Sequence, residues 1–470
     1  MTTIHILIWL NLIYYICLQA LYILLVLLSA RQLRQYNRSI TFGEFRRIAQ
    51  SELTTPVSLI IPAYNEALII VNTVRNAFAL NFPRYEVIVV NDGSTDEMMS
   101  VLIKAFNLRR VDRHDPKYIA TKEVLGVYQS PDHPKLVVVD KKNGQRADAI
   151  NAGQNFSSHP LLCVIDADCV LEEDVLLHLV RPFLRDPDVT AVAGIVRPSN
   201  GLTVENGKII QRGLPQSLLG MSQEVEYARS FQWARMGLCR LKSMLCISGA
   251  LMMIRKSIFQ ELGGSSPSAI TDDMEFTVRL NAHVYDRRKT QRAKLMFLPG
   301  AICYTEIPET FTQYASQRNR WQRGTLQALV RNWWMFLNPR YGLTGLFGVP
   351  FFVLFDSLAS IVEISAWILM VVVLVLGVAT VWQILLALYV AYIVNVFLSL
   401  SAILLTETSR LRTTSWNNLW KILFAIFLEN LGFHQFHLIV RLVGGFEYLF
   451  RGRRDLGMTM ERIVPNPSTL

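Results

Sequence analysis

The chain carries long apolar blocks towards both ends and, between them, a stretch where short apolar runs are separated by polar turns. From about Ile4 to Ser29 the sequence is nearly uncharged, broken only by His5, Asn11 and Gln19. From Gly342 to Leu405 the only acids are Asp356 and Glu363, and there is no Lys or Arg. Each block is long enough for at least one membrane helix, which needs about 20 apolar residues. The second block predicts an interfacial or re-entrant piece around Gly345–Phe355, then spans near Ile361–Val381 and Gln383–Leu405. The last apolar part, Leu419–Phe450, contains Lys421, Glu429, His434, His437, Arg441 and Glu447. That is too many ionisable groups for a lipid-facing span, so it reads as an amphipathic or re-entrant helical pair.

The middle of the chain has a different rhythm. Val57–Pro62, Tyr85–Val90, Lys135–Asp140 and Leu161–Ile165 are short runs rich in β-branched residues, the signature of buried strands. Helical stretches at Ala67–Leu80, Glu97–Phe106 and Arg146–Asn155 alternate with them, which predicts βαβ units and a mostly parallel sheet. Further on, Ala191–Val196 and Cys246–Arg255 read as strands and Gln223–Leu245 as helical. The segment Asn107–Pro134, with Arg109, Arg110, Arg113 and Lys117, reads as a surface excursion. Ligands of parallel sheets bind beyond the carboxyl ends of the strands, and the polar motifs of this region lie there.

Composition sharpens this division. The 470 residues are 51% hydrophobic and 18% charged, with a formal net charge of +10. Much of the excess lies beside the apolar blocks: Arg31, Arg34, Arg38, Arg46 and Arg47 follow the first, Arg331 and Arg340 precede the second, and Arg410, Arg412, Arg451, Arg453 and Arg454 flank the last. By the positive-inside rule these flanks are cytoplasmic, and the charge is suited to anionic lipid. No basic helix or aromatic-studded basic strand marks a nucleic-acid partner. The first block lacks a positive leading region and a small-residue cleavage site, so a retained anchor is expected. The six cysteines show no metal spacing and read as reduced.

Several strand ends carry chemistry. Asp166 and Asp168 close the run Leu161–Ile165, and a strand interior cannot hold two unpaired carboxylates. They are expected at the strand's exit, where alternate residues of an extended segment face the same way and can hold one hard cation. The bland alternative is a strand end running into an acid-rich helix start at Glu172–Asp174. Asn91-Asp92-Gly93-Ser94 offers an acceptor for a base or ribose, though these are ordinary turn residues. Lys142-Asn143-Gly144-Gln145-Arg146 places two cations and a glycine near a helix N-terminus, either a diphosphate cradle or a solvated turn. Thr271-Asp272-Asp273 supplies paired acids, of which one can act as a general base; a helix cap would look the same. Gln317-Arg318-Asn319-Arg320-Trp321 joins guanidinium forks to an indole, suited to phosphate and sugar or to a membrane interface.

Together, Pro62-Ala63-Tyr64-Asn65-Glu66, Asn91-Asp92-Gly93-Ser94, Asp166-Ala167-Asp168, Thr271-Asp272-Asp273 and Gln317–Trp321 follow the order and rough spacing of the processive family-2 glycosyltransferases. The chain resembles membrane synthases of poly-N-acetylglucosamine, hyaluronan, chitin and cellulose. The resemblance implies an α/β GT-A domain with a helical transmembrane region and an inverting, metal-dependent transfer from a UDP-sugar to a growing β-linked polysaccharide, with coupling to export. It implies that Pro62, Tyr64, Glu66, Asp92, Lys142, Arg146 and Asp166 bind the nucleotide-sugar and that Asp166 and Asp168 hold Mg2+ or Mn2+. It makes Asp273 the catalytic base, and it assigns acceptor and diphosphate contacts to Ser248, Gly249, Asp272, Gln317, Arg320 and Trp321. Two positions depart from the family pattern: its Glu-Asp pair is Asp272-Asp273, and its motif lysine is Arg146, which keeps charge but not geometry.

The implied organisation is an N-terminal anchor over residues 1–30, a basic juxtamembrane segment over 31–55, the GT-A domain over 56–300, interfacial helices over 301–341, transmembrane and re-entrant helices over 342–450 and a cytoplasmic tail over 451–470. The implied setting is a multi-pass protein of the inner (plasma) membrane with a cytoplasmic catalytic domain, open to accessory synthase subunits. Asp356, Glu363 and Glu429 either line a polymer exit route or tie helices together. The rivals are a single-addition transferase acting on a lipid or polyprenyl acceptor, and a non-catalytic transporter or nucleotide-binding scaffold.

Overall fold

The computed structural model describes residues 2–40, 42–287, 294–408 and 416–451. The flanking residues Arg410, Arg412, Arg453 and Arg454 and the tail beyond 451 lie outside the described residues. The chain divides into two compact units. One comprises residues up to Arg34, Leu214–Ser243 and the stretch from Pro308 onward; the other comprises Gln35–Gly213 and Met244–Ile307.

The second of these is built on a sheet. In chain order its strands are β1 (Val57–Ala63), β2 (Tyr85–Asp92), β3 (Arg109–Val111), β4 (Val124–Gln129), β5 (Leu136–Lys141), β6 (Leu161–Val164), β7 (Val170–Leu171), β8 (Val189–Pro198), β9 (Thr203–Glu205), β10 (Lys208–Gln211), β11 (Met252–Arg255) and β12 (Lys294–Thr305). Ten of them form one sheet in the order β3-β4-β5-β2-β1-β6-β11-β8-β12-β7, while β9 and β10 pair separately. The centre, β5-β2-β1-β6, is parallel. All seven residues of β1 are buried, as expected of a strand covered on both faces and read from sequence as a continuous apolar run. The helix Gln145–Phe156 packs across β1 and β2, with Gly153 so close that an added Cβ would stand 2.5 Å from Ile60 Cγ2.

Three local readings change. The excursion Asn107–Pro134 contributes β3 and β4, an antiparallel pair added to the edge of the sheet, and Val127 of β4 enters the core beside Val137, Val139 and Phe156. Its arginines hid this, because a short edge strand with one solvated face has little apolar signal. Cys246–Leu251 is not strand; pairing begins only at Met252, since the small residues before it form a loop. The helical stretch expected to reach Leu245 begins at Leu218, continues through a π-helical segment at Tyr227–Ala234 and stops at Arg240.

On the outer side of the sheet, the helix Val175–Arg185 packs on β8 and β12 and carries the short amphipathic helix Phe42–Gln50. Arg181 and Arg185 both reach Glu44, at 3.1 and 2.7 Å, and Arg181 also donates to the Ser39 carbonyl. His178 accepts or donates at 2.5 Å to the Tyr36 hydroxyl and lies 3.2 Å from Asp174.

The other unit is helical. The first helix is continuous from Thr2 to Ser39. Among the described residues, three helices are long and apolar enough to cross a membrane: Thr3–Ser39, Val381–Glu407 and Asn418–Phe450. A bent pair, Thr344–Ser357 and Ala359–Val375 at 42°, makes a fourth if it counts as one span. Asn418–Phe450 therefore passes on length and composition despite its ionisable groups, yet it is broken at Leu431 and Gly432, where the backbone leaves the helical region. Glu429, His434 and Arg441 are tolerated there because they are paired within the unit. Glu429 binds Arg229 at 2.8 Å, Arg441 binds Asp356 at 2.9 Å, and His434 lies 3.0 Å from Glu363. Of the two readings for Asp356, Glu363 and Glu429, the geometry gives helix-to-helix ties.

Two stability outcomes follow from packing and pairing. Gly153→Val should lower stability by about 1–3 kcal/mol, because overfilling a packed contact forces backbone shifts; thermal unfolding of the purified protein reads this as a lower Tm. Glu226→Ala should cost about 3–5 kcal/mol, because it strands the buried Arg318 guanidinium, which Glu226 holds at 3.0 and 2.9 Å; a Tm equal to that of wild type would contradict it.

Candidate active site

The loops after β1, β2, β5 and β6 and the start of the helix Asp272–Arg287 bring the acidic motifs of the sheet unit together. Pro62 is buried in β1 opposite Val90, with half-buried Tyr64 and Glu66 just beyond. Asn65, at a positive φ of 58°, stitches this loop to the next. Its N–H donates to Ser94 Oγ at 2.9 Å and its Oδ1 accepts from the Thr95 N–H at 2.8 Å. Asp96 completes the seam by accepting from the Ala67 N–H at 2.9 Å.

Asp92 sits at the end of β2 and is 2% exposed. Its Oδ1 accepts from Lys141 Nζ at 2.5 Å and from the Gly144 N–H at 3.0 Å. Burial pushes its carboxyl above the ordinary value, against the opposing pull of Lys141 and Gly144. Gly93 follows with φ +69°, and a Cβ there would stand 2.6 Å from the Asn143 amide nitrogen, so the β2 loop lies directly on the β5 loop. Lys142, expected at the nucleotide, instead pairs with Glu123 at 2.6 Å on the surface. The buried cation of this loop is its neighbour Lys141, which also binds Asp148 at 2.6 Å.

Arg146 is the hub. Its Nε donates to Asp166 Oδ1 at 2.8 Å, one terminal nitrogen donates to Asp272 at 2.5 Å and the other to the Gly249 carbonyl at 2.9 Å. Burial works against its charge, but Asp166, Asp272 and Asp273 outweigh that and raise its pKa further. Asp273 accepts from the Gly249 N–H at 3.2 Å and from the Met274 N–H at 2.8 Å. Ser248 is buried beside Gly249, and a Cβ added at Gly249 would meet the Arg146 guanidinium at 2.7 Å.

Asp166 and Asp168 lie past the end of β6, as expected, but in a turn closed by the Cys169 N–H on the Asp166 carbonyl at 3.1 Å. The turn, not strand alternation, brings them together. Ligand atoms of Asp166, Asp168 and Cys169 lie within 4.8 Å of one another. Burial pushes the Cys169 thiol well up, which keeps it protonated and leaves the two half-exposed carboxylates as the donor set. Two carboxylate oxygens with open positions suit a hard divalent cation such as Mg2+ or Mn2+, which keeps several waters or phosphate oxygens.

The helix Phe311–Arg331 belongs to the other unit. On it Gln317 is buried and Arg320 exposed, while the Trp321 ring lies 5.5 Å from Phe231 and 4.2 Å from the guanidinium of Arg318. Arg318, one of the guanidinium forks of the sequence motif, is buried against Glu226, and the sequence does not single out Lys141 and Asp148. The available signal for the latter was a lysine directly ending an apolar strand and the one acid of the helix Gln145–Phe156.

The chain thus combines a mostly parallel α/β sheet carrying acids at its strand ends with helices long and apolar enough to cross a membrane. The sequence model described as glycosyltransferase like family 2 matches residues 55–324, more than half of the chain, and the chain belongs to that family. A chitin synthase model matches residues 282–441. Among curated relatives, a poly-β-1,6-N-acetyl-D-glucosamine synthase of Staphylococcus epidermidis is 24% identical over 301 residues, 64% of this chain and 61% of the relative. The synthase of the same description from Staphylococcus aureus (strain COL) is 24% identical over 285 residues, 60% and 58% of the two chains. The match thus spans about three fifths of these relatives' own length. In fold, the chain is similar to a mannosyltransferase from Pyrobaculum calidifontis solved in complex with GDP-Man and Mn2+, with a TM-score of 0.52 at 15% identity, covering 93% of this chain and 99% of that one.

Gly249→Val should displace the Arg146 fork and reduce sugar transfer by about 100-fold, the usual scale for a small misplacement at a reacting centre. A turnover assay on purified membranes measures it, and activity near wild type would show that the fork tolerates the shift.

Proposed function

We propose that the chain transfers a sugar from a cytoplasmic UDP-sugar to a growing β-linked polysaccharide, with inversion at the anomeric carbon. The observation that carries the reading is the Arg146 fork, which joins the Asp166 turn to the start of the Asp272 helix, where Asp273 stands. The loop edge at Ser248 and Gly249 lies beside that carboxylate. The matched relatives and the chitin synthase model favour a polymer over a single-sugar product.

In this reading Pro62, Tyr64, Glu66 and Asp92 flank the nucleotide, and Arg146 offers charge close to the diphosphate. A divalent cation held by Asp166 and Asp168 would neutralise charge on the leaving nucleoside diphosphate. Asp273 takes the proton of the acceptor hydroxyl as its oxygen attacks the anomeric carbon and the bond to the diphosphate breaks. Its two backbone N–H donors fix the carboxylate without neutralising it. On the helical unit, Gln317, Arg320 and Trp321 offer polar and stacking groups of the kind that hold a diphosphate or a sugar. In this reading the candidate spans cross the plasma membrane more than once and the nucleotide is taken from the cytoplasm.

The test is UDP release by purified membranes incubated with a panel of UDP-sugars and Mg2+ or Mn2+. Asp273→Asn should lower kcat by about 100- to 10,000-fold, the range for loss of a general base, while UDP still binds. Chelation with EDTA should abolish turnover and restored Mn2+ or Mg2+ should recover it. Full activity in the Asp273→Asn protein would remove the base from Asp273, and turnover unaffected by EDTA would remove the metal.

A further inference from the structure

Lys141 is fully buried, yet it ends its strand with three oxygens around its ammonium: Asp92 at 2.5 Å, Asp148 at 2.6 Å and the Lys142 carbonyl at 2.7 Å. Desolvating an ammonium costs several kcal/mol, so the site must hold it with pairs and hydrogen bonds. Asp148 is occupied on its other side, its carboxylate accepting from the Lys122 N–H at 3.2 Å. Asp92 differs. Its Oδ1 is held by Lys141 and the Gly144 N–H, and its main-chain carbonyl accepts from Asn143 Nδ2 at 2.9 Å. Its Oδ2 accepts no hydrogen bond from the described residues, and it is not among the buried side-chain atoms sealed without a partner. One oxygen is therefore clamped from within and the other is left facing outward.

We infer that Lys141 is a positioning residue that fixes the Asp92 carboxylate so that its other oxygen reads an N–H donor on the edge of the nucleotide base. The inference rests on the UDP-sugar reading above and deepens it. Uracil offers an imide N–H where cytosine offers a lone pair, so an oriented carboxylate rewards the first and repels the second. Without the ammonium, the carboxylate can rotate about its terminal torsion, which is broad. It would then lose both its aim and the ammonium that opposes the upward push of burial on its carboxyl.

The experiment measures UDP and CDP binding by calorimetry on the purified full chain in wild type, Lys141→Met, Asp148→Asn, Asp92→Ala and the Asp92→Ala/Lys141→Met double variant. Lys141→Met should weaken UDP binding by about tenfold or more, the scale of a lost hydrogen bond to a charged group. CDP binding should change less than about threefold, and kcat at saturating UDP-sugar should fall far less than KM rises. In the Asp92→Ala background the same substitution should cost under about twofold, because a residue that acts through Asp92 has nothing left to position. Asp148→Asn keeps the ammonium on Asp92 and should hold UDP affinity within about threefold; it keeps the question decidable if Lys141→Met does not fold. Wild-type UDP binding with Lys141→Met unchanged, equal losses in both backgrounds, or an Asp148→Asn loss of about tenfold or more would overturn the inference alone. Absence of UDP binding by wild type would overturn the functional reading and the inference with it.

Discussion

The sheet unit depends on one guanidinium. Arg146 starts the helix after β5, and from there it fastens the turn after β6, the first residue of the helix Asp272–Arg287 and the loop carrying Gly249. Three carboxylates gathered at strand ends would repel one another in a partly desolvated place. A planar fork with several donors satisfies two of them and a main-chain carbonyl in a single geometry, which a point-charge ammonium cannot copy. The fork also explains why Gly249 has no side chain. A Cβ there would occupy the space of the guanidinium.

A second cation solves a related problem one strand away. Lys141 is sealed in the core and holds Asp92 and Asp148, while its neighbour Lys142 stays in solvent with Glu123. The helical unit follows the same rule by itself. Arg318 is buried against Glu226, and the half-buried Arg229 and Arg441 pair with Glu429 and Asp356. Charge in both units is admitted where it is paired.

The parallel centre of the sheet was legible because its strands are covered on both faces, so β1, β2, β5 and β6 read as unbroken apolar runs. The edge pair β3–β4 was not, because one face of each strand is solvated and Arg109 and Arg110 mask the alternation. Asp92, Asp166, Asp168, Asp272 and Asp273 were visible as acids at ends of apolar runs or at a helix start. What joins them was not. Lys141 and Lys142 are identical neighbours in the sequence, and only the alternation of a paired strand sends one inward and the other out. The turn at Ala167 likewise could not be told from a continuing strand, since its alanine and cysteine suit either. In the helical segments, composition marked the apolar blocks well but undervalued Asn418–Phe450. Its ionisable residues have partners on distant segments that no local pattern displays.

The central claim is that the strand-end acids serve repeated sugar addition at a membrane. Its most direct measurement is the size of the labelled product made by purified membranes supplied with a radiolabelled UDP-sugar and a divalent cation. A polydisperse carbohydrate that lengthens with time and disappears in the Asp273→Asn protein is the predicted result. A product that stays at one sugar per acceptor at all times would contradict the account.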